Sequence, residues 1–156
     1  MKKCYTLFLS ILCCFSILLV SASALGSEDT AVLVSSTQIN LSDGGYIIEE
    51  IVETKPSTIA RTTNNKSGYK TITRYTASGS AVYAVQVTGE FSYTGSSSWA
   101  TSATATVYTY TSNASFVSKS ASYSGNTAYA TGTVKYAGIT ESRRPSLSCD
   151  KNGNLS

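Results

Sequence analysis

The stretch Ala81-Val82-Tyr83-Ala84-Val85-Gln86-Val87-Thr88-Gly89-Glu90-Phe91-Ser92-Tyr93 alternates two kinds of side chain. Successive residues of an extended chain point to opposite faces. Tyr83, Val85, Val87, Phe91 and Tyr93 therefore share one face, and Gln86, Thr88, Glu90 and Ser92 share the other. The first is a core face and the second a solvent face. Gly89 falls within the core set, where a glycine marks a bulge or bend.

The same period continues on both sides. Before the turn Ala77-Ser78-Gly79-Ser80, residues 69–76 set Tyr69, Thr71, Thr73 and Tyr75 against Lys70, Ile72 and Arg74, which reads as a half-solvated strand. After the turn Thr94-Gly95-Ser96-Ser97-Ser98, residues 99–111 place Trp99, Ala103, Ala105 and Val107 on one face and Tyr108 and Tyr110 on the other. Residues 115–123 and Thr127–Tyr136 flank Ser124-Gly125-Asn126 as a hairpin, with Ala128, Ala130, Val134 and Tyr136 inward on its second strand. The last run, 139–149, groups Ile139, Leu147 and Cys149 on one face. Pro145 lacks an amide proton, so this run is expected to be an edge or to contain a break.

Tyr46–Thr54 also fits two helical turns, since Ile47, Ile48, Ile51 and Val52 recur at that spacing. Its β-branched content, the preceding Gly44-Gly45 and the following Pro56 favour a strand. Residues 55–67, rich in Thr, Asn and Lys, read as a loop, and residues 25–43 as a linker or pro-segment. About seven strands at spacings of about 8–15 residues predict an all-β domain over residues 44–156. The expected architecture is an antiparallel two-sheet sandwich, with an immunoglobulin-like outline as one arrangement. The Cys-Trp-Cys pattern of true immunoglobulin domains is absent.

Residues 1–24 read as a secretory signal peptide: Lys2-Lys3, the apolar run 7–20, and Ala22-Ser23-Ala24 as the cleavage site. The apolar run is shorter than the roughly 20 residues of a membrane span. Membrane contact is expected only through this segment, and a secreted, extracellular protein follows. Removing 24 of the 156 residues leaves 132, with ten Lys and Arg against nine Asp and Glu. That near-neutral balance lacks the basic stripe that phosphate neutralisation needs, so no nucleic-acid partner is expected. Cys149 is then the one cysteine, and burial as a small apolar residue is preferred to an intermolecular bridge. Ser and Thr fill 43 of the 132 positions and Tyr ten. Asn-x-Ser sequons at Asn40, Asn65, Asn113 and Asn154 accord with that composition alone.

The chain has no histidine. The usual general base, the commonest metal ligand and the Ser-His-Asp triad are therefore missing, and a lone cysteine cannot build a zinc site. Glu49 and Glu53 share a strand face as a formal acid pair, but Lys55 nearby suits a charged outer surface. Asp150-Lys151-Asn152-Gly153-Asn154 is read as a turn rather than a calcium loop. No catalytic residue, metal or cofactor is assigned. The candidate binding residues are Tyr108 and Tyr110, which lie on the polar phase of their strand with Ser102, Thr104 and Thr106. Exposed tyrosines offer apolar surface with a hydrogen-bonding tip.

Residues 118–133, reading Ser-Lys-Ser-Ala-Ser-Tyr-Ser-Gly-Asn-Thr-Ala-Tyr-Ala-Thr-Gly-Thr, and the ending Ser148-Cys149-Asp150-Lys151-Asn152-Gly153-Asn154-Leu155-Ser156 carry a likeness. Together with Gly45-Tyr46-Ile47 and residues 87–93, they resemble an uncharacterised family of small exported proteins of Gram-positive bacteria. The resemblance spans residues 44–156 and implies a secreted bacterial protein without adding a catalytic residue. No Leu-Pro-x-Thr-Gly wall-sorting signal follows, so a released protein is expected. The leading functional expectation is a non-enzymatic binding module acting at the cell surface or on extracellular polymer, with a cell-wall glycan or a surface protein as partner. Its alternatives are a bacteriocin-like antibacterial protein and a self-associating matrix component.

Overall fold

The structure, a computed structural model, describes residues 31–54 and 64–156. The expected signal peptide and most of the expected loop at 55–67 lie outside the described residues. Among the described residues nine strands follow in chain order: β1 Ala31–Asn40, β2 Tyr46–Thr54, β3 Asn64–Tyr75, β4 Ala81–Tyr93, β5 Ser98–Thr109, β6 Ala114–Ser124, β7 Thr127–Tyr136, β8 Ile139–Arg143 and β9 Ser146–Ser148. They form two antiparallel sheets, one in the order β1-β2-β3-β4-β5 and one in the order β6-β7-β8 with β9 also on β7. The protein is an all-β sandwich. Consecutive strands are neighbours from β1 to β5 and from β6 to β8, so each sheet is built as a meander, whereas an immunoglobulin sandwich needs Greek-key connections.

Cross-strand register shows how the alternation of β4 organises the first sheet. Val87 stands opposite Lys70 on β3 and Ala105 on β5, and Lys70 stands opposite Ile51 on β2. These residues share the inner face, which meets the second sheet. Val87, Phe91, Ala100 and Ala105 pack there with Ala128, Ala130, Leu147, Cys149 and Leu155, while Val82, Tyr83 and Val85 pack with Ala114 and Val134. The sheets approach closely at two glycines. A Cβ at Gly89 would lie 2.7 Å from Phe91 and 3.0 Å from Ala128, and one at Gly132 would lie 2.6 Å from both Val85 methyls. Gly89 thus serves the close approach of the two sheets; the irregularity of the β4–β5 ladder lies one residue on, where β5 carries Thr101 as an extra residue between the partners of Glu90 and Phe91.

Several expectations change. Residues 31–40 within the expected linker form a strand paired with β2 from Ala31 opposite Thr54 to Asn40 opposite Tyr46. Asn64 to Ser67, expected as loop, open β3. The expected final strand divides at Arg144-Pro145 into β8 and β9, which pair with opposite ends of β7. That is the break proline imposes. It also separates the faces: Leu147 and Cys149 are fully buried while Ile139 is 67% exposed. Trp99 moves too. The register shift between Glu90 and Phe91 sets Phe91 opposite Ala100, so Ala100 turns inward and Trp99, beside Ser92, turns out to solvent.

Candidate binding face

The second sheet covers the inner face of β4 and β5, leaving the outer face of the five-stranded sheet open among the described residues. Tyr108 belongs to that outer face because its cross-strand partner, Ala84, is one step out of phase with the inward Tyr83 and Val85. Tyr110 follows the end of β5, where its amide donates to the Val82 carbonyl at 2.9 Å. The two rings lie nearly parallel, at 8°, with centroids 6.3 Å apart. They are 43% and 54% exposed, so both sequence-derived candidates reach solvent together.

Two further tyrosines join them. Tyr46 on β2 stands directly opposite Tyr75 on β3, on the same outer face, and their rings stack at 4.9 Å and 8°. Partial burial holds the Tyr110 phenol above its ordinary pKa, and the neighbouring Tyr108 and Tyr75 push the same way. Burial also raises Tyr75, with Glu50 and Tyr46 adding to it. Tyr46, Tyr75, Tyr110 and Tyr108 thus form a band across one end of the face, each presenting a phenol ring with a hydrogen-bonding tip.

From this band the outer face continues as a strip of hydrogen-bonding groups, mostly uncharged, with Glu50 and Glu90 as its carboxylates. Tyr108 donates its hydroxyl proton to Gln86 Oε1 at 3.2 Å. Gln86 stands beside Thr71 and Thr106, and Thr88 beside Tyr69 and Thr104. At the far end, Ser92 pairs with Trp99 on one side and donates to Asn65 Oδ1 at 3.0 Å on the other. A cleft of about 380 Å³ opens there among Asn65, Lys66, Ser67, Glu90, Ser92 and Thr101. Along β4, Ala84 to Ser92 spans roughly 26 Å at strand rise.

Sequence reasoning found Tyr108 and Tyr110 through their strand phase. It missed Tyr46 and Tyr75 as members of the site because their approach depends on the β2–β3 register. Strand phase groups Trp99 with Ala103, Ala105 and Val107, and only the β4–β5 irregularity turns it to the other face.

The acid pair does not assemble. Glu49 and Glu53 point to the inner side of the sheet, beyond the main core, where Lys70 Nζ lies 3.1 Å from Glu49 and Lys66 Nζ 2.7 Å from Glu53. Each carboxylate is held by its own lysine across the β2–β3 ladder, rather than standing on a charged outer surface. A second polar cluster closes one end of the sandwich. Tyr83, fully buried, donates to Glu141 Oε2 at 2.7 Å, and Arg143 Nη2 donates to the same oxygen at 2.6 Å. Burial and then the Glu141 hydrogen bond push the Tyr83 phenol far above its ordinary pKa. Arg74, only 4% exposed, pairs with Asp43 and donates to the Tyr75 carbonyl at 2.7 Å.

Cys149 is fully buried and burial raises its thiol pKa, so it serves as a small apolar core residue. At Asp150 the carboxylate accepts from the Asn152 and Asn154 amides and from Asn154 Nδ2, each at 2.8 Å. The turn expected from the sequence is thus closed by its own aspartate. Comparison with known proteins gives no matching family model, no matching curated protein and no matching solved structure.

Proposed function

We propose that this chain is an exported, non-enzymatic binding module that attaches to a hydroxyl-rich extracellular polymer, a cell-wall glycan, through the outer face of its five-stranded sheet. The four-tyrosine band carries this reading. A folded domain normally covers one face of such a sheet and leaves a charged, mixed face to water. Here the open face presents chiefly phenol rings, threonines, Gln86 and Trp99, with Glu50 and Glu90 as its carboxylates. Phenols combine apolar surface with a polar tip, and binding sites enrich them for that reason.

The chemistry of the face selects its partner. Thr71, Gln86, Thr88, Thr104 and Thr106 offer donors and acceptors without charge, which suits a ligand studded with hydroxyls and amides. A polyanion would need a basic surface, whereas residues 25–156 balance ten Lys and Arg against nine Asp and Glu. The open, elongated strip suits an extended chain rather than a small enclosed molecule, which would require a concave pocket.

Isolated cell walls sedimented with the exported protein provide the test. Saturable co-sedimentation that falls at least tenfold in Tyr108→Ala/Tyr110→Ala supports the reading. Protein left in the supernatant, or retention indifferent to those changes, refutes it. Loss of retention after the walls are stripped of surface protein, with glycan intact, would point to a surface-protein partner instead.

A further inference from the structure

β1 is an unusual edge. Its ten residues include no charge, no proline and no glycine, and all ten are exposed, with Val32, Leu33, Val34 and Ile39 among them. Among the described residues, no strand pairs with the far side of β1. An edge strand leaves a row of amide protons and carbonyls free, and proteins blunt such rows with lysine, proline or a covering element. The other edges show those devices. At the opposite side of the same sheet, β5 is packed by β6; β6 carries Lys119, and β8 carries Glu141 and Arg143.

We propose that β1 pairs antiparallel with β1 of a second copy of this chain, about a two-fold axis perpendicular to the sheet, joining two five-stranded sheets into one of ten. Charge favours this occupant. A two-fold axis repeats the strand's charge on both sides of the seam, so charged residues near the axis would stand close to their like. β1 has none; one strand further in, Glu49 and Glu53 are paired with Lys70 and Lys66, and Glu50 stands opposite Ser36 as the remaining carboxylate. The irregularity between Leu33 and Ser35 bends the first part of the strand, so the seam centres on residues 35–40.

The symmetry has a consequence for attachment. Antiparallel pairing about this axis keeps the same face of both sheets on the same side. Both tyrosine bands then look toward one surface, and a glycan-bearing wall can engage them together, with an avidity gain of roughly 10² to 10⁴ over one copy. That step rests on the proposed glycan binding, whereas the dimer does not.

Sedimentation velocity on the purified chain from Leu25 onward, across a concentration series, tests the dimer without any ligand. Ser36→Lys/Thr37→Lys sets cations opposite Glu50 and Glu49 within the copy, which keeps β1 in place, and sets like charges against each other at the seam. The expected result is a concentration-dependent dimer weakened at least tenfold in this variant, with an unchanged far-ultraviolet spectrum. Phe116→Ser on β6 serves as a comparison and leaves the dimer intact. A parent chain still monomeric at about 1 mM, the weak limit of specific association, overturns the proposal. So does a dimer that persists in the lysine variant, or one lost in Phe116→Ser.

Discussion

Replacing Gly132 with alanine tests the close approach of the two sheets. The new Cβ would lie 2.6 Å from both methyls of Val85 and 2.8 Å from a Val107 methyl. Ordinary carbon contacts are optimal at about 3.5–4.0 Å, so the sheets must part locally by nearly 1 Å. Val85 cannot swing aside easily, because β-branching restricts it and it is fully buried. Overpacking of this kind costs about 1–3 kcal/mol. Against it stands a gain of about 0.4–1 kcal/mol from reduced freedom of the unfolded chain, since Gly132 has no left-handed backbone conformation to lose. Taking the middle of each range, the net expectation is a destabilisation of about 1.3 kcal/mol. Urea unfolding followed by tyrosine fluorescence would measure it. Val85→Ala removes the obstructing methyls, so the double variant should be more stable than the two single effects added together. Unaltered or increased stability in Gly132→Ala, or strict additivity with Val85→Ala, would show that the sheets are further apart than described.

Other expectations concern single groups. Tyr83→Phe removes the hydroxyl that Glu141 accepts and should cost about 1–3 kcal/mol in thermal or urea unfolding. Because the folded Tyr83 pKa is raised, its contribution is fully present below the ordinary phenol range and is lost as pH rises above about 10 toward the folded value. Alkaline unfolding of the parent should therefore be steeper than that of Tyr83→Phe. Asp150 runs the other way: hydrogen bonds from Asn154 hold its pKa down, so the turn's order is present above the ordinary carboxylate range and lost as acid protonates it. Amide exchange at Asn152 and Asn154 should quicken at low pH, and Asp150→Asn should show fast exchange at neutral pH. Trp99→Ala should weaken wall retention several-fold without changing stability by more than about 0.5 kcal/mol, the range for exposed sites.

The parts of the fold readable from sequence were those buried on one side. β4 alternates because its two faces meet different surroundings, and β7 likewise sets Ala128, Ala130 and Val134 inward. β1 left no such mark. Both of its sides are exposed, so nothing constrains its residues to alternate, and Val32-Leu33-Val34 run together across a register shift. Trp99 and Ile139 failed for a related reason: phase carried across a strand irregularity or a proline break inverts or loses the face assignment. Of the binding face, Tyr108 and Tyr110 could be read from one strand's phase. Tyr46 and Tyr75 could not, because their contact is made by pairing between strands and depends on register rather than on local sequence.

The most direct measurement compares the parent chain and Tyr108→Ala/Tyr110→Ala for binding to isolated cell walls freed of surface protein. Saturable retention of the parent, lost by at least tenfold in the variant while its unfolding midpoint stays unchanged, is the predicted result. Equal retention of the two proteins, or none of either, would contradict a binding face built on the tyrosine band.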